Sequence, residues 1–143
     1  MKIELTIIDK TKFEFSANLF EKLVNQIIKN ELNENVLKRE LTICIVFTQG
    51  EEIKILNQKY RGKNAKTDVL SFEGEYNKTG HVGDIIIDIE QAEEQKGNRS
   101  LNFEVQSLVI HGLLHLLGYE HTNERQKIGM QLKEKEFIKL IKE

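Results

Sequence analysis

The sequence has only one cysteine, no proline and no tryptophan, and it has no long apolar run. A single cysteine cannot form an internal disulfide, which agrees with a reducing compartment. A membrane-spanning helix needs about 20 apolar residues in a row, and none is present. The amino terminus, MKIELTIID, has acidic residues where a signal peptide would be hydrophobic. We therefore expect a cytoplasmic protein that does not associate with membranes.

The chain also lacks a strong net charge, because its formal charge is −2. It therefore has no global field for nucleic acid, and any contact with phosphates must come from a local patch. One segment qualifies: residues 53–66, IKILNQKYRGKNAK, contain five basic residues, one tyrosine and no acid. By itself the segment fits a solvated helix face and loop better than a phosphate site.

The length and composition that are present suit one compact domain spanning residues 1–143, with 39% hydrophobic residues. Alternating or continuous apolar residues predict four strands, near Ile3–Ile7, Leu41–Phe47, Val69–Phe72 and Asp84–Ile89. Helical spacing predicts helices over Ser16–Glu31, through Ile53 and Leu56, over Phe103–Leu117 and over Asn123–Lys142.

The sequence also predicts the surroundings of several individual residues. Cys44 lies in the second strand and is expected to be a small core residue. The glycine-rich stretch Glu73–Gly83 predicts a loop, with His81 solvated in it. The apolar stripes of the first and last helices are expected to face the core: Leu19, Phe20, Leu23, Ile27, Ile28, Ile128, Leu132, Phe137, Leu140 and Ile141.

The most informative pattern is HGLLHLLGYEH, which contains His111, His115 and His121. Residues four apart lie on one face of a helix, so the first two rings should project together. Gly118 is the residue type that most readily takes a left-handed conformation at a helix end, after which the chain can bring His121 back.

Three imidazoles with an open fourth position describe a catalytic zinc site better than a structural one. Cys44 is too far away in sequence to be an expected fourth ligand. The alternative, that the histidines only decorate a packed helix, suits a single histidine better than three at this spacing. We therefore predict one divalent metal ion, preferably zinc, bound by His111, His115 and His121.

The residue after the first histidine argues against a peptidase. In HExxH metalloproteases a glutamate there serves as the general base, whereas this chain has Gly112. The ligand spacing is zincin-like, but the proton acceptor is missing. A glycine inside a helix costs about 1 kcal/mol relative to alanine, which suggests close approach of substrate or another backbone, or equally close helix packing.

The histidine pattern resembles the signature of the YbeY family of bacterial metal-dependent endoribonucleases and rRNA maturation factors. The similarity extends to Asn57–Arg61, Thr67–Phe72, Gly83–Ile85, and on to Met130 and Glu134, in the same order. The chain departs from the family in having Glu120 where aspartate is usual before the third histidine. It also lacks the prolines that the family often has before Thr67 and after Phe72. No ligand is lost.

This resemblance implies an α+β fold in which helices pack on a small mixed sheet of about four strands, with the metal between the histidine helix and the basic loop. It implies single-stranded RNA rather than DNA as substrate, processing of the 3′ end of small-subunit rRNA, and ribosomal or small-subunit assembly proteins as partners. It also implies catalytic roles for Arg61 and His111.

Two other functions stay open on the sequence. One is a non-catalytic ribosome-assembly factor that binds RNA and in which the metal stabilises the fold; the other, more remote, is a metallopeptidase. Within the nuclease hypothesis, neither the general base nor the nucleophile is identified. Glu120, Asp68 and Asp84 are candidate acids, and a 2′-hydroxyl of the RNA could act in place of water.

Overall fold

The computed structural model describes residues 2–62 and 67–141. Its strands are β1 (Lys2–Asp9), β2 (Glu40–Thr48), β3 (Val69–Glu73) and β4 (His81–Asp88). Its helices are α1 (Ala17–Glu31), α2 (Glu34–Leu37), α3 (Gly50–Arg61), α4 (Tyr76–Thr79), α5 (Ile89–Gln95), α6 (Leu101–Leu116) and α7 (Glu124–Ile138). The predicted α+β fold with four strands is confirmed.

The four strands form one mixed sheet in the order β1-β2-β4-β3. Strands β1, β2 and β4 are parallel, and β3 pairs with β4 in the antiparallel direction. Strand β3 is therefore an edge of the sheet, with one side free of any partner strand among the described residues. This edge adjoins the candidate site.

The main core lies on one face of the sheet, against α1 and α6. Alternate residues of β2 point into it (Leu41, Ile43, Ile45 and Phe47) because successive side chains of a strand point to opposite faces. Helix α6 is apolar nearly all round and is buried over most of its length, as predicted.

Helix α3 covers part of the opposite face. Ile53 from this helix packs on Leu70 of β3 and Ile86 of β4, with Val46, Leu56 and Phe72 around them; we call this group the small cluster. Cys44 lies on the same face of β2, half-buried rather than in the main core. Burial and the nearby Asp84 carboxylate raise the pKa of the Cys44 thiol.

The predicted loop over Glu73–Gly83 is wrong for most of its length. Strand β3 continues to Glu73, α4 occupies Tyr76–Thr79, and β4 already begins at His81. His81 is half-buried, not freely solvated: its Nδ1 lies 2.8 Å from Oγ1 of Thr42 and its Nε2 lies 3.2 Å from Oδ1 of Asp84. Strand pairing overrode the local glycine content.

The predicted apolar stripes were too wide. In α1, Leu19 is exposed while its neighbours Phe20 and Leu23 are buried. In α7, Ile128 and Leu132 are exposed because they lie on the side opposite to the buried Met130, about 160° away at 3.6 residues per turn. Leu140 is also exposed, although Phe137 and Ile141 are buried as predicted.

No helix in the described ranges combines the length and the apolar character needed to cross a bilayer. Residues 63–66, which include the last two lysines of the basic segment, lie outside the described residues. The part of that segment that is described belongs to α3, whose last turn carries Lys59 and Arg61.

Candidate active site

Helix α6 presents two of the three histidines side by side near its C-terminal end. The ring centroids of His111 and His115 are 4.7 Å apart, and their Nε2 atoms are separated by 3.2 Å. Both side chains are half-buried, whereas the apolar residues between them are buried. The four-residue spacing therefore places both rings on the one face of α6 that is open, as the sequence predicted.

The turn after α6 returns the third histidine to the first two. Gly118 has a φ of 103°, in the left-handed region that favours glycine. The amide of Tyr119 donates to the carbonyl of Leu114 at 3.0 Å, and the amide of Gly118 donates to that of His115 at 3.1 Å, the bond pattern of a Schellman C-cap. The turn places the ring of His121 with its centroid 4.9 Å from that of His115.

The three rings lie close together but do not have the arrangement of metal ligands. The His111 and His121 centroids are 6.0 Å apart, and His121 is exposed. In the described residues, no group of three or more histidine, cysteine or acidic side chains has a metal-holding arrangement. The three-histidine metal site therefore stays a prediction.

The backbone partner of His115 determines which of its ring nitrogens carries the proton. Nδ1 of His115 lies 2.9 Å from the carbonyl oxygen of Tyr119, and since a carbonyl only accepts, Nδ1 is assigned the proton. Nδ1 of His111 lies 3.4 Å from Oε1 of Glu134, an ion-pair contact that does not by itself fix the tautomer of His111. Nε2 of His115 then carries a lone pair and lies 3.2 Å from Nε2 of His111, from which it can accept a hydrogen bond.

The environment also favours neutral imidazole at His115. The pKa of His115 is lowered below its ordinary value, chiefly by burial and next by the neighbouring His111. The neutral ring is the form that binds metals. The lowered pKa and the tautomer of His115 both leave the lone pair of its Nε2 available.

A buried acid anchors the turn that carries these contacts. The hydroxyl of Tyr119 donates to Glu31 at the end of α1, and Nζ of Lys133 in α7 lies 3.0 Å from the other carboxylate oxygen. The Glu31 side chain is only 8% exposed. Burial and the Glu31 carboxylate raise the pKa of Tyr119, so its hydroxyl keeps the proton that it donates. Three helices are thereby joined at the turn after α6.

Arg61 lies across the site from the histidines. Its Nη2 donates to the carbonyl of Ser71 at 2.8 Å, on the edge strand β3. The hydroxyl of Ser71 donates to the carbonyl of Gly112 at 3.1 Å and so ties β3 to α6. A cleft of about 550 Å³ is lined by Arg61, Ser71 and the three histidines. The structure thus brings all four predicted site residues into one cavity.

Close helix packing explains Gly112. A Cβ atom at this position would lie 3.0 Å from both Cγ2 of Ile85 and Oγ of Ser71. The glycine therefore allows α6 to approach the sheet at β3 and β4. Of the two interpretations of Gly112, close approach of substrate or another backbone and close helix packing, these contacts support packing.

The three candidate acids lie in different surroundings. Asp68 and Glu120 line the cleft, together with Glu73. Asp84 instead contacts His81 and is not among the residues that line the cleft.

Sequence reasoning missed the residues that orient the histidines. Glu134 was part of the resemblance but had no assigned role, and neither Tyr119 nor Glu31 was singled out. No local pattern could have identified Glu31, because it is 88 residues away from Tyr119. Glu134 had a weak signal, an acid in the helix that follows the histidine pattern.

Known proteins that resemble this chain match it along nearly its whole length. A family model described as "Endoribonuclease YbeY" matches residues 6–142. A protein of Geobacillus thermodenitrificans named "Endoribonuclease YbeY" is 38% identical over 96% of this chain and 96% of its own length. A protein of the same name from Syntrophus aciditrophicus is 40% identical, with 72% of this chain and 70% of its own length covered.

A solved structure gives a similar result for the fold. The solution structure of a protein from Thermotoga maritima superposes with a TM-score of 0.62 and is 28% identical, covering 95% of this chain and 87% of that one.

Proposed function

This chain belongs to the YbeY family of endoribonucleases, and from that membership we propose that it is a metal-dependent enzyme that cleaves single-stranded RNA. We further propose rRNA as its substrate, with maturation of the 3′ end of small-subunit rRNA and ribosome quality control as its roles. Ribosomal or small-subunit assembly proteins would be its partners, and the cytoplasm its compartment. DNA is not an expected substrate.

The observation that carries this proposal is the pair of Nε2 atoms of His111 and His115, 3.2 Å apart. Behind them, Nδ1 of His115 donates to the Tyr119 carbonyl and Nδ1 of His111 lies 3.4 Å from the Glu134 carboxylate. Metal-ligating histidines almost always donate their other ring N–H to a carboxylate or a carbonyl. His121 would complete the ligand set after a small movement of its exposed ring. A bound zinc ion would supply Lewis acidity toward phosphate oxygens and water.

Arg61 is proposed to bind and orient the phosphate. A guanidinium has five N–H donors, and the bond from Nη2 to the carbonyl of Ser71 uses one of them. That bond holds the group at the cleft wall, where the remaining donors can pair with non-bridging oxygens. Such pairs stabilise the charge that develops during phosphodiester cleavage.

In this proposal the histidines on one wall of the cleft hold the metal ion, and Arg61 on the other wall binds the phosphate. Glu134 and the Tyr119 carbonyl hold the rings of His111 and His115 in orientation. The cleaved RNA ends identify the nucleophile: a terminal cyclic phosphate indicates attack by the 2′-hydroxyl rather than by water.

The test uses labelled single-stranded RNA with four samples: metal-loaded protein, chelated protein, His115→Ala and His81→Ala. The last is a matched control, because His81 is the fourth histidine of the chain and contacts Thr42 and Asp84 rather than the cleft. Metal content and circular dichroism are measured for every sample. We expect cleavage by the metal-loaded wild type and by His81→Ala only.

Two results would contradict the proposal. Cleavage by chelated protein would refute metal dependence. RNA binding without cleavage in a fully metallated, folded sample would refute the nuclease and support the non-catalytic assembly factor. Hydrolysis of a peptide substrate is not expected, because Gly112 replaces the glutamate base of metallopeptidases.

A further inference from the structure

Two aromatic rings stand beside the cleft without lining it. Tyr60 lies in the last turn of α3 and Phe72 in the edge strand β3, and their ring centroids are 5.4 Å apart at an interplanar angle of 70°. Tyr60 is 58% exposed. Much of this side chain is therefore available for another contact.

Cations flank both rings. Nζ of Lys59 is 5.3 Å from the centroid of Tyr60, and Cζ of Arg61 is 6.0 Å from the centroid of Phe72. No acid occurs between Ile53 and Lys66. Aromatic faces next to positive charges are the combination that binds single-stranded nucleic acid, since the rings stack with bases and the cations neutralise phosphates.

The aromatic pair is continuous with the histidine cleft through Arg61 and Ser71. Arg61 lines the cleft and also stands over Phe72. Ser71, the residue before Phe72, lines the cleft and is bonded to Gly112, which follows His111. Because β3 is an edge strand, an extended chain that crosses this edge meets the histidines on one side and the rings on the other.

We propose that Tyr60 and Phe72 form a stacking subsite for one unpaired base of single-stranded RNA, next to the nucleotide whose phosphate contacts Arg61. The inference rests on the proposed function and adds to it the group that selects for single strands. A paired base is stacked inside its duplex and cannot lie on Tyr60. The subsite tolerates all four bases, because each has a π-face.

The chain offers a direct optical probe of this stacking. It has no tryptophan and only three tyrosines, so base stacking on Tyr60 should quench an appreciable part of the tyrosine emission. The metal-loaded full-length protein is titrated with a labelled 2′-O-methyl RNA oligonucleotide, which resists cleavage by its own 2′-oxygens. Affinity is read from the anisotropy of the label, and stacking from the tyrosine emission. The same titration is repeated with Tyr60→Leu, with Tyr60→Phe and with an oligonucleotide of the same length without bases.

We expect Tyr60→Leu to bind the oligonucleotide about 5- to 150-fold more weakly, the range for loss of one base–aromatic stack. Tyr60→Phe should rescue binding but lose most of the quenching, since it keeps the aromatic face without the fluorophore. The oligonucleotide without bases should bind wild type and Tyr60→Leu alike. Ile55→Ala is the matched control, because Ile55 is 64% exposed on the same helix, about 140° around its axis from Tyr60.

The outcomes separate this subsite from the nuclease. If wild-type protein cleaves unmodified RNA but Tyr60→Leu binds as tightly as wild type, the subsite is wrong and the nuclease stands. If Tyr60→Leu binds weakly and Tyr60→Phe rescues it while no sample cleaves RNA, the subsite stands and the nuclease is wrong. If wild type neither binds nor cleaves RNA, both are wrong.

Discussion

The groups that lie behind the two α6 histidine rings suit the proposed metal site. Nδ1 of His115 and Nδ1 of His111 each face an acceptor, the Tyr119 carbonyl and the Glu134 carboxylate. The carbonyl determines the tautomer and orientation of His115, and we propose that the carboxylate orients the ring of His111. The role of these partner residues can therefore be tested by substitution, as can that of the histidines.

We predict that Glu134→Gln weakens zinc binding by about 10- to 100-fold, because the carboxylate that orients His111 is lost. Zinc affinity is measured by competition with a chromophoric chelator. Glu136→Gln, two residues further along α7 and paired with Lys133 on the surface, is the control and should bind zinc like the wild type. Equal affinity in all three proteins would refute the orienting role.

Arg61→Ala is predicted to lower turnover about 100- to 1000-fold, the cost of removing one donor to a developing oxyanion, while zinc stays bound. Single-turnover cleavage and metal content are measured on the same sample. Arg61→Lys keeps the charge but loses the planar fork, so its rate should be intermediate. Arg99→Ala, which removes an arginine that lies over Phe103, should retain full rate; full activity of Arg61→Ala would refute the assignment.

At the scale of elements, the end of α6 determines where His121 lies. The Schellman bonds from Tyr119 to Leu114 and from Gly118 to His115 turn the chain at one glycine. The same turn presents the Tyr119 carbonyl to the ring of His115. The residues that end the helix therefore also orient the ring of His115.

Gly118→Ala should cost about 1 kcal/mol of unfolding free energy and also weaken zinc binding, because a positive φ strains any side chain. Gly97→Ala is the matched control: its φ is also positive, and a Cβ at either position meets no atom within 4 Å. It should lose similar stability in a denaturant titration but bind zinc normally. Equal zinc affinities of the two variants would refute the role of the turn.

Local pattern predicted the long elements well and the short ones poorly. All four strands and helices α1, α3, α6 and α7 were expected, because each is long enough to show its period. Helices α2, α4 and α5 have seven residues or fewer and were not predicted. Ile128 and Leu132 were assigned to the core wrongly, since hydrophobic spacing does not say how much of a helix its neighbours cover.

For the whole molecule, a metal bound only by the folded state must stabilise the fold. We predict that zinc at about 100 times its dissociation constant adds about 2.7 kcal/mol and raises Tm by about 5–10 °C. Thermal unfolding with and without zinc measures this shift, and His115→Ala should abolish it. An unchanged Tm in wild-type protein that contains zinc would contradict the prediction.

The small number of cations near the cleft predicts that RNA binding depends only modestly on salt. About three phosphate contacts from the cations near α3 give a slope of about −2 in a plot of log affinity against log salt concentration. Affinity is measured by anisotropy with a labelled oligonucleotide over several salt concentrations. A slope near zero would contradict the basic patch, and a much steeper one would require a wider basic surface.

The sequence by itself determined the family and the parts of the site that lie close together along the chain: His111, His115, Gly118 and His121. Their geometry follows from the pitch of one helix and the conformation of one glycine, which are local properties. Only the tertiary structure decided which groups back the rings and face them. Glu31 and Tyr119 are 88 residues apart, and Arg61 is held at the cleft by its hydrogen bond to the carbonyl of Ser71 in the edge strand. Such contacts depend on how helices and sheet pack, and no local pattern encodes that.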